Sequence, residues 1–337
     1  MAGGRTTSEG IGRLIRGGWL WIPAILLLLI MDRVLSASLN PYIVRIMILS
    51  GINIILAVSL NLINGFTGQF SLGHAGFMAV GGYVAAAFDV HVGRSLGPGM
   101  EVPAFLISLC LGSIAAAAAG LLIGIPTLRL RGDYLAIATL GFGEIIRVLI
   151  LNIDFLGGAR GFSNIPARTN FFWVYLAAAG CIVFHANLIR SRHGRALLAV
   201  RDDEVAAESL GVPTTRYKVT AFVIGAAFAG LAGGLFGHYL MYLHTNSFTF
   251  MKSIEVVIMV VLGGMGSITG SIASAIVLTI LPEALRQFRE YRMVLYSLLL
   301  VILMIARPQG IFGTMEIGGL WRRLRARRAP QTTRGSA

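Results

Sequence analysis

Gln69, Ser71 and His74, three side chains able to give, take or bind a proton, stand within six residues in an apolar, glycine-rich run. That run, Asn61 to Tyr83, reads NLINGFTGQFSLGHAGFMAVGGY and holds six glycines and two asparagines. Ser71 with His238 or His244 has the group types of a nucleophile and its base, as in an intramembrane protease. Its setting, G-Q-F-S-L-G, is not the G-x-S-x-G elbow that presents a nucleophilic serine. No oxyanion site is evident either, so the run is not read as catalytic. Lipid cannot hydrogen-bond a backbone, so irregular or small-residue backbone at membrane depth survives only against protein or a watery cavity. Asn64, Gly65, Gly68, Gln69, Ser71, Gly73 and His74 are therefore candidates to line a path through a membrane. The plainer alternative for each is close helix packing with no ligand contact.

Two further groupings carry charge. Glu144 and Arg147 lie three apart in an apolar run and so share a helix face. Ionisable groups inside a span face the interior or a water-filled cavity, which makes the pair a pathway or gating element, a brace between helices, or a snorkelling pair near the outer end. The stretch Arg201–Gly211, RDDEVAAESLG, predicts a short helix off the membrane. Asp202 or Asp203 caps its start, acidic residues fill its first turn, and Gly211 stops it with Pro213 just beyond. Val205, Ala206 and Leu210 form one apolar face, and Asp203, Glu204 and Glu208 a charged one. Such a helix suits a docking partner, and a solvated loop is the alternative. Lys252 follows Met251 and Lys218 follows Tyr217, so neither fits the phosphate-cradling G-x-x-x-x-G-K-[ST] pattern. No ATP site, other cofactor or metal site is expected in this chain; ATP-driven work would need a separate ATPase docked at residues 190–218.

The elements that must hold these groups follow from composition. The 337 residues are 56% hydrophobic and 13% charged, with mean hydropathy +0.77. Soluble domains carry about 25% charged residues, so the chain is read as an integral membrane protein. Its net charge of +13 is nearly all arginine, Lys218 and Lys252 being the only lysines. Nucleic-acid binding is set aside, because the arginines sit at chain ends and between apolar runs, as the positive-inside rule describes. Cys110 and Cys181 both fall in apolar runs and read as core packing.

Apolar runs predict about ten spans: 19–35, 42–62, 68–89, 103–126, 134–152, 171–190, 218–243, 254–264, 267–284 and 292–306. The first is short, so a signal peptide cleaved near Ser36-Ala37-Ser38 competes with a snorkelling helix. An even count puts both termini, the tails 1–18 and 307–337, on the cytoplasmic side. It also puts the arginine-rich 127–133 and 190–218 inside, and 153–170 and 244–253 outside. Arg286, Arg289 and Arg292 fall outside, against the rule, with Glu283 and Glu290 among them. Gly68-Gln-Phe-Ser-Leu-Gly73 is echoed by Gly266-Ser-Ile-Thr-Gly270. Interrupted segments in corresponding halves point to a transport site at their interface, which adds Gly264 and Gly266 to the candidates.

Several stretches carry a family resemblance. NLINGFTGQFSLGHAGFMAVGGYVAA resembles the signature of branched-chain amino-acid ABC importer permeases. LRLRGDYLAIATLGFGEIIR resembles the stretch that marks their M-type subunit, the LivM family. GRALLAVRDDEVAAESLGVPTTRYKVTAFVIGAAFAGLAGGLF is similar to the family's cytoplasmic loop and following helix, and VVLGGMGSITG and RPQGIFG resemble later landmarks. These cover the chain from about Ile52 to Gly313, in order.

The resemblance implies an all-α, polytopic transmembrane bundle with the importer permease fold in two weakly repeated halves. It implies a heterodimer with an H-type permease, two ATPase subunits that hold ATP and Mg, and a periplasmic or extracytoplasmic substrate-binding protein, in a bacterial inner membrane. The loop then couples to the ATPase through Arg201, Asp202, Asp203, Glu204, Ala206, Ala207 and Gly211. Of the importer pattern E-A-A-x-x-x-G, Ala206, Ala207 and Gly211 match, while Val205 stands where the glutamate would be. Relatives that carry urea or short amides are a second reading. An ion-coupled transporter working alone, with Glu144 and Arg147 as its coupling site, is a third.

Overall fold

The computed structural model describes residues 21–285 apart from 94–96, 98 and 131, together with residue 298. The tails 1–18 and 307–337, the span expected at 292–306 apart from residue 298, and Arg286, Arg289, Glu290 and Arg292 lie outside the described residues. Among those described, the chain is helical, with one isolated antiparallel bridge between Phe162 and Leu243. The helices are α1 (Trp21–Ser38), α2 (Pro41–Asn61), α3 (His74–His91), α4 (Glu101–Thr127), α5 (Asp133–Leu151) and α6 (Phe171–Arg190). Then come α7 (Arg192–Asp202), α8 (Glu204–Ser209), α9 (Thr214–Leu240), α10 (Phe250–Gly263) and α11 (Ile268–Ala284), and a π-helical turn, Leu62–Phe66, extends α2. Among the described residues, six stretches are long and apolar enough to cross a membrane: Pro41–Phe66, Glu101–Thr127, Asp133–Leu151, Phe171–Arg190, Thr214–Leu240 and Thr245–Gly263.

Burial sorts these helices into layers. The apolar window of α2 and its π turn is 83% buried, against 33% for α4 and 22% for α5. A helix apolar all round belongs in a protein core or a membrane, so α2 is the central post and α4 and α5 carry outer faces. Leu122 and Ile137 on those faces are exposed, and Cys110 is exposed too, whereas Cys181 is buried. The expectation of core packing thus fails for Cys110, whose side of α4 has no helix against it among the described residues. The tightest packing joins α3, α4 and α9, where small residues let backbones meet. A methyl group on Gly81 would strike the Gly230 backbone, and one on Gly112 would strike the Gly81 carbonyl.

The two ends of the bundle differ in chemistry. One gathers residues 67–70, 130, 132–135, α7 and α8. At the other, the bridge is closed by Phe162 N–H donating to Leu243 at 2.7 Å and Leu243 N–H donating back at 2.9 Å. There Asp89 of α3, fully buried, pairs with Arg168 at 3.0 Å and with His238 of α9 at 3.1 Å. Asp32 of α1 accepts from Phe172 N–H at the start of α6, at 3.3 Å, where a carboxylate complements the helix dipole. Glu283 at the end of α11 accepts from the Tyr42 hydroxyl at the start of α2.

Three expected boundaries shift. The span at 68–89 does not become helical until His74, because Asn64 and Thr139 side chains take the N–H groups of Ser71 and Leu72 at 3.2 and 3.0 Å. The span at 254–264 starts earlier, at Phe250, where Glu144 of α5 accepts from the Phe250 N–H at 3.1 Å and caps the helix from outside. Lys252 therefore belongs to α10, not to a loop. The stretch 190–218 holds two helices: Ser191 caps α7, and Asp203 caps α8 by accepting from Val205 and Ala206 at 2.9 and 3.0 Å. Asp202 ends α7 and is not the cap.

Candidate functional site

The glycine-rich run is a break between two buried helices. After Asn61 the chain winds one π turn, then unwinds from Thr67 to Gly73 before α3 begins. Thr67 closes the turn by donating to the Leu62 carbonyl at 2.6 Å, and Gln69 N–H reaches Ile63 at 3.0 Å. Gly68 has φ +71°, a left-handed conformation costly for any residue with a Cβ. His74 Nε2 lies 2.9 Å from Ser59 Oγ, and Ala75 N–H donates to Ser253 of α10 at 3.0 Å. Asn64 Nδ2, both amide atoms of Gln69, Ser71 Oγ and His74 Nδ1 are buried without a partner among the described residues. Buried polar groups are nearly always satisfied, so this concentration in one run sets it apart from an ordinary packing seam.

The second half comes to meet it. Asn61 donates to the Ser267 carbonyl at 3.0 Å and accepts from Gly266 N–H at 2.8 Å, so one side chain bridges the break and the α10–α11 turn. A Cβ on Gly65 would land on Asn61 and the Gly266 nitrogen. Asn61 and Gly65, at the first interruption, thus pack on Gly266 and Ser267 at the second. Gly264 has φ +101° and ends α10.

Beneath this junction lies Arg201, near the end of α7. Its Nη1 lies 3.4 Å from the Gly65 carbonyl, and it pairs with Asp202 at 2.9 Å. A Cβ on Gly68 or Gly266 would meet the Arg201 side chain. Thr67, Gln69, Arg201, Asp203, Glu204 and Lys218 are among the residues lining a cleft of about 360 Å³ between the break and the helix pair. Glu204 pairs with the nearly buried Lys218 at 2.6 Å, and Ala207 is buried. Those two tie α8 to the body of the protein, while Val205, 64% exposed, and Leu210, 85% exposed, face out with Ala206. Gly211 has φ +83° and no atom near its missing Cβ, a turn position where glycine ends α8.

The remaining candidates sit elsewhere. Glu144 and Arg147 pair at 2.6 Å on α5, and the second Glu144 oxygen caps α10, so the pair braces two helices. His238 is held by Asp89 and by the Gly234 carbonyl, and His244 lies 3.3 Å from the Ala159 carbonyl; neither histidine meets Ser71. Two groupings go unmarked in the sequence pattern. One is Asp89 with Arg168 and His238, whose members are spread over 150 residues. The other is Lys252 with Glu255 and Asn53; a lysine three residues before a glutamate in an apolar run was the available signal.

The family described as "Branched-chain amino acid transport system / permease component" matches residues 42–306. The chain is 42% identical over 295 residues to the high-affinity branched-chain amino acid transport system permease protein LivM of Salmonella typhimurium, covering 77% of this chain and 67% of that one. It is 42% identical over 303 residues to LivM of Escherichia coli, covering 80% and 69%. To the permease protein LivH of Salmonella typhimurium it is 34% identical over 169 residues, covering 48% and 53%. No solved structure matches.

Proposed function

This chain belongs to the branched-chain amino acid transport system permease family, and from that premise we propose that it is one permease subunit of an ATP-driven importer. Its cargo is branched-chain or related hydrophobic amino acids, carried across the bacterial cytoplasmic membrane. The chain does no chemistry on the cargo and binds no cofactor. An H-type permease completes the pore, two ATPase subunits bind ATP and Mg, and an extracytoplasmic binding protein delivers substrate. Both termini lie in the cytoplasm, which places α7 and α8 against the ATPases.

The observation that carries this reading is Arg201. It stands on the helix pair whose apolar tip, Val205 and Leu210, is free to dock, and it reaches the Gly65 carbonyl inside the helix break. ATPase closure pushes α8, α7 moves with it, and the break at Gly65–Gly73 is displaced against Gly266. A backbone with little side-chain mass and unsatisfied polar groups is suited to exist in two arrangements.

The test is Arg201→Ala in the assembled transporter. Uptake is expected to fall at least tenfold while ATP hydrolysis is retained, because the push no longer reaches the break. Unchanged coupled uptake overturns the role of Arg201. Uptake from an ion gradient by the purified chain, without ATPase subunits, overturns the importer reading.

A further inference from the structure

Away from Arg201, five helices line a cleft of about 250 Å³, and polar side chains of three of them, α2, α10 and α11, meet there. Lys252 Nζ of α10 donates to Glu255 at 3.0 Å and to the side-chain Oδ1 of Asn53 of α2 at 3.1 Å. The Asn53 amide in turn donates to Thr279 of α11 at 2.9 Å. Asn53 is 6% exposed and lies twelve residues past Pro41, about 18 Å along α2 at 1.5 Å per residue. That is near the middle of a bilayer core roughly 30 Å thick. Lys252 and Glu255 stay partly open, with side chains 20% and 35% exposed. The apolar part of the lining is Leu49, Ile52, Met78, Phe236 and Leu278, and Glu283 also borders the cleft.

We infer that this cleft is a substrate subsite that reads the zwitterionic head group of an amino acid: Lys252 takes the carboxylate, Glu255 the ammonium group, and the apolar wall the side chain. The inference rests on the transport function proposed above and names a site for it. A lone i,i+3 ion pair stabilises a helix little. Charges at membrane depth are costly and mark substrate pathways. Lysine offers three donors, two of them engaged here, so a carboxylate can be accepted without breaking the Asn53 contact. The cleft, at about 250 Å³, is large enough for several water-sized groups.

The assembled transporter, in proteoliposomes with its binding protein, is assayed for radiolabelled leucine uptake and for ATP hydrolysis. Lys252→Met and Glu255→Gln are each expected to lower uptake at least tenfold while stimulated ATP hydrolysis changes less than twofold. The double swap Lys252→Glu with Glu255→Lys keeps the ion pair but reverses its polarity toward substrate, and is expected to stay as slow as the single variants. Recovery of the swap to within twofold of the unmodified transporter makes the pair structural and overturns the inference. Should charge variants fail to assemble, Leu49→Trp leaves the charges and narrows the apolar wall. It is expected to shift preference from leucine toward alanine at least fivefold, and unchanged preference overturns the inference. A transporter that takes up no leucine in its unmodified form contradicts the function itself. One that works while every variant matches it contradicts only this site.

Discussion

Asn61 is the residue on which the two interruptions meet, since its amide serves the Ser267 carbonyl and the Gly266 N–H together. Interhelical hydrogen bonds in membranes contribute only about 0.6 kcal/mol each on average. Removing the side chain also strands the Gly266 N–H, at about 1–3 kcal/mol for an unsatisfied group, while the Ser267 carbonyl keeps Ser271. Asn61→Leu is therefore expected to destabilise the protein by about 2 kcal/mol, read as a shift in its unfolding transition in detergent. A shift below about 0.5 kcal/mol would place the strength of the junction elsewhere. Asn61 opens the unusual run in the sequence, but its partners lie 205 and 206 positions away, a distance across which no local pattern reaches.

At the scale of elements, α8 divides its residues between two tasks. Glu204 and Ala207 hold it to the body, and Val205, Ala206 and Leu210 are left for a partner. Lys218 is nearly buried, so Glu204→Gln leaves an ammonium group without its counter-charge, and that is far costlier than losing the pair whole. Glu204→Gln is expected to lower the thermal midpoint more than the double variant Glu204→Gln with Lys218→Met. The reverse order, measured on the purified complex, would mean the pair carries no weight. The helix itself was legible from Asp203, the acidic first turn and Gly211. Its separation from α7 was not, because either Asp202 or Asp203 suits a cap by type and only backbone geometry chose between them.

For the whole molecule, the proposed alternation of spans is expected to put α8 and the 241–249 loop on opposite faces of the membrane. Single-cysteine variants Ser209→Cys and Asn246→Cys, in a chain with Cys110 and Cys181 replaced by serine, are expected to react with an impermeant maleimide from opposite sides of sealed vesicles. Labelling of both from one side would break the topology. By itself the sequence determined the membrane class, nearly all the helices, the family, and the oddity of Asn61–Tyr83. Each is a property of local composition, periodicity or ordered motif, and lipid enforces it without regard to neighbours. Only the tertiary structure decided that Gly65 rests on Gly266 above Arg201, that Glu144 caps α10, and that Lys252, Asn53 and Thr279 share one cleft. Those depend on which helix packs against which. In a chain where most helices are apolar on every face, hydrophobic pattern names no neighbour, and pairing is settled by the few small and polar residues whose shapes and hydrogen bonds fit.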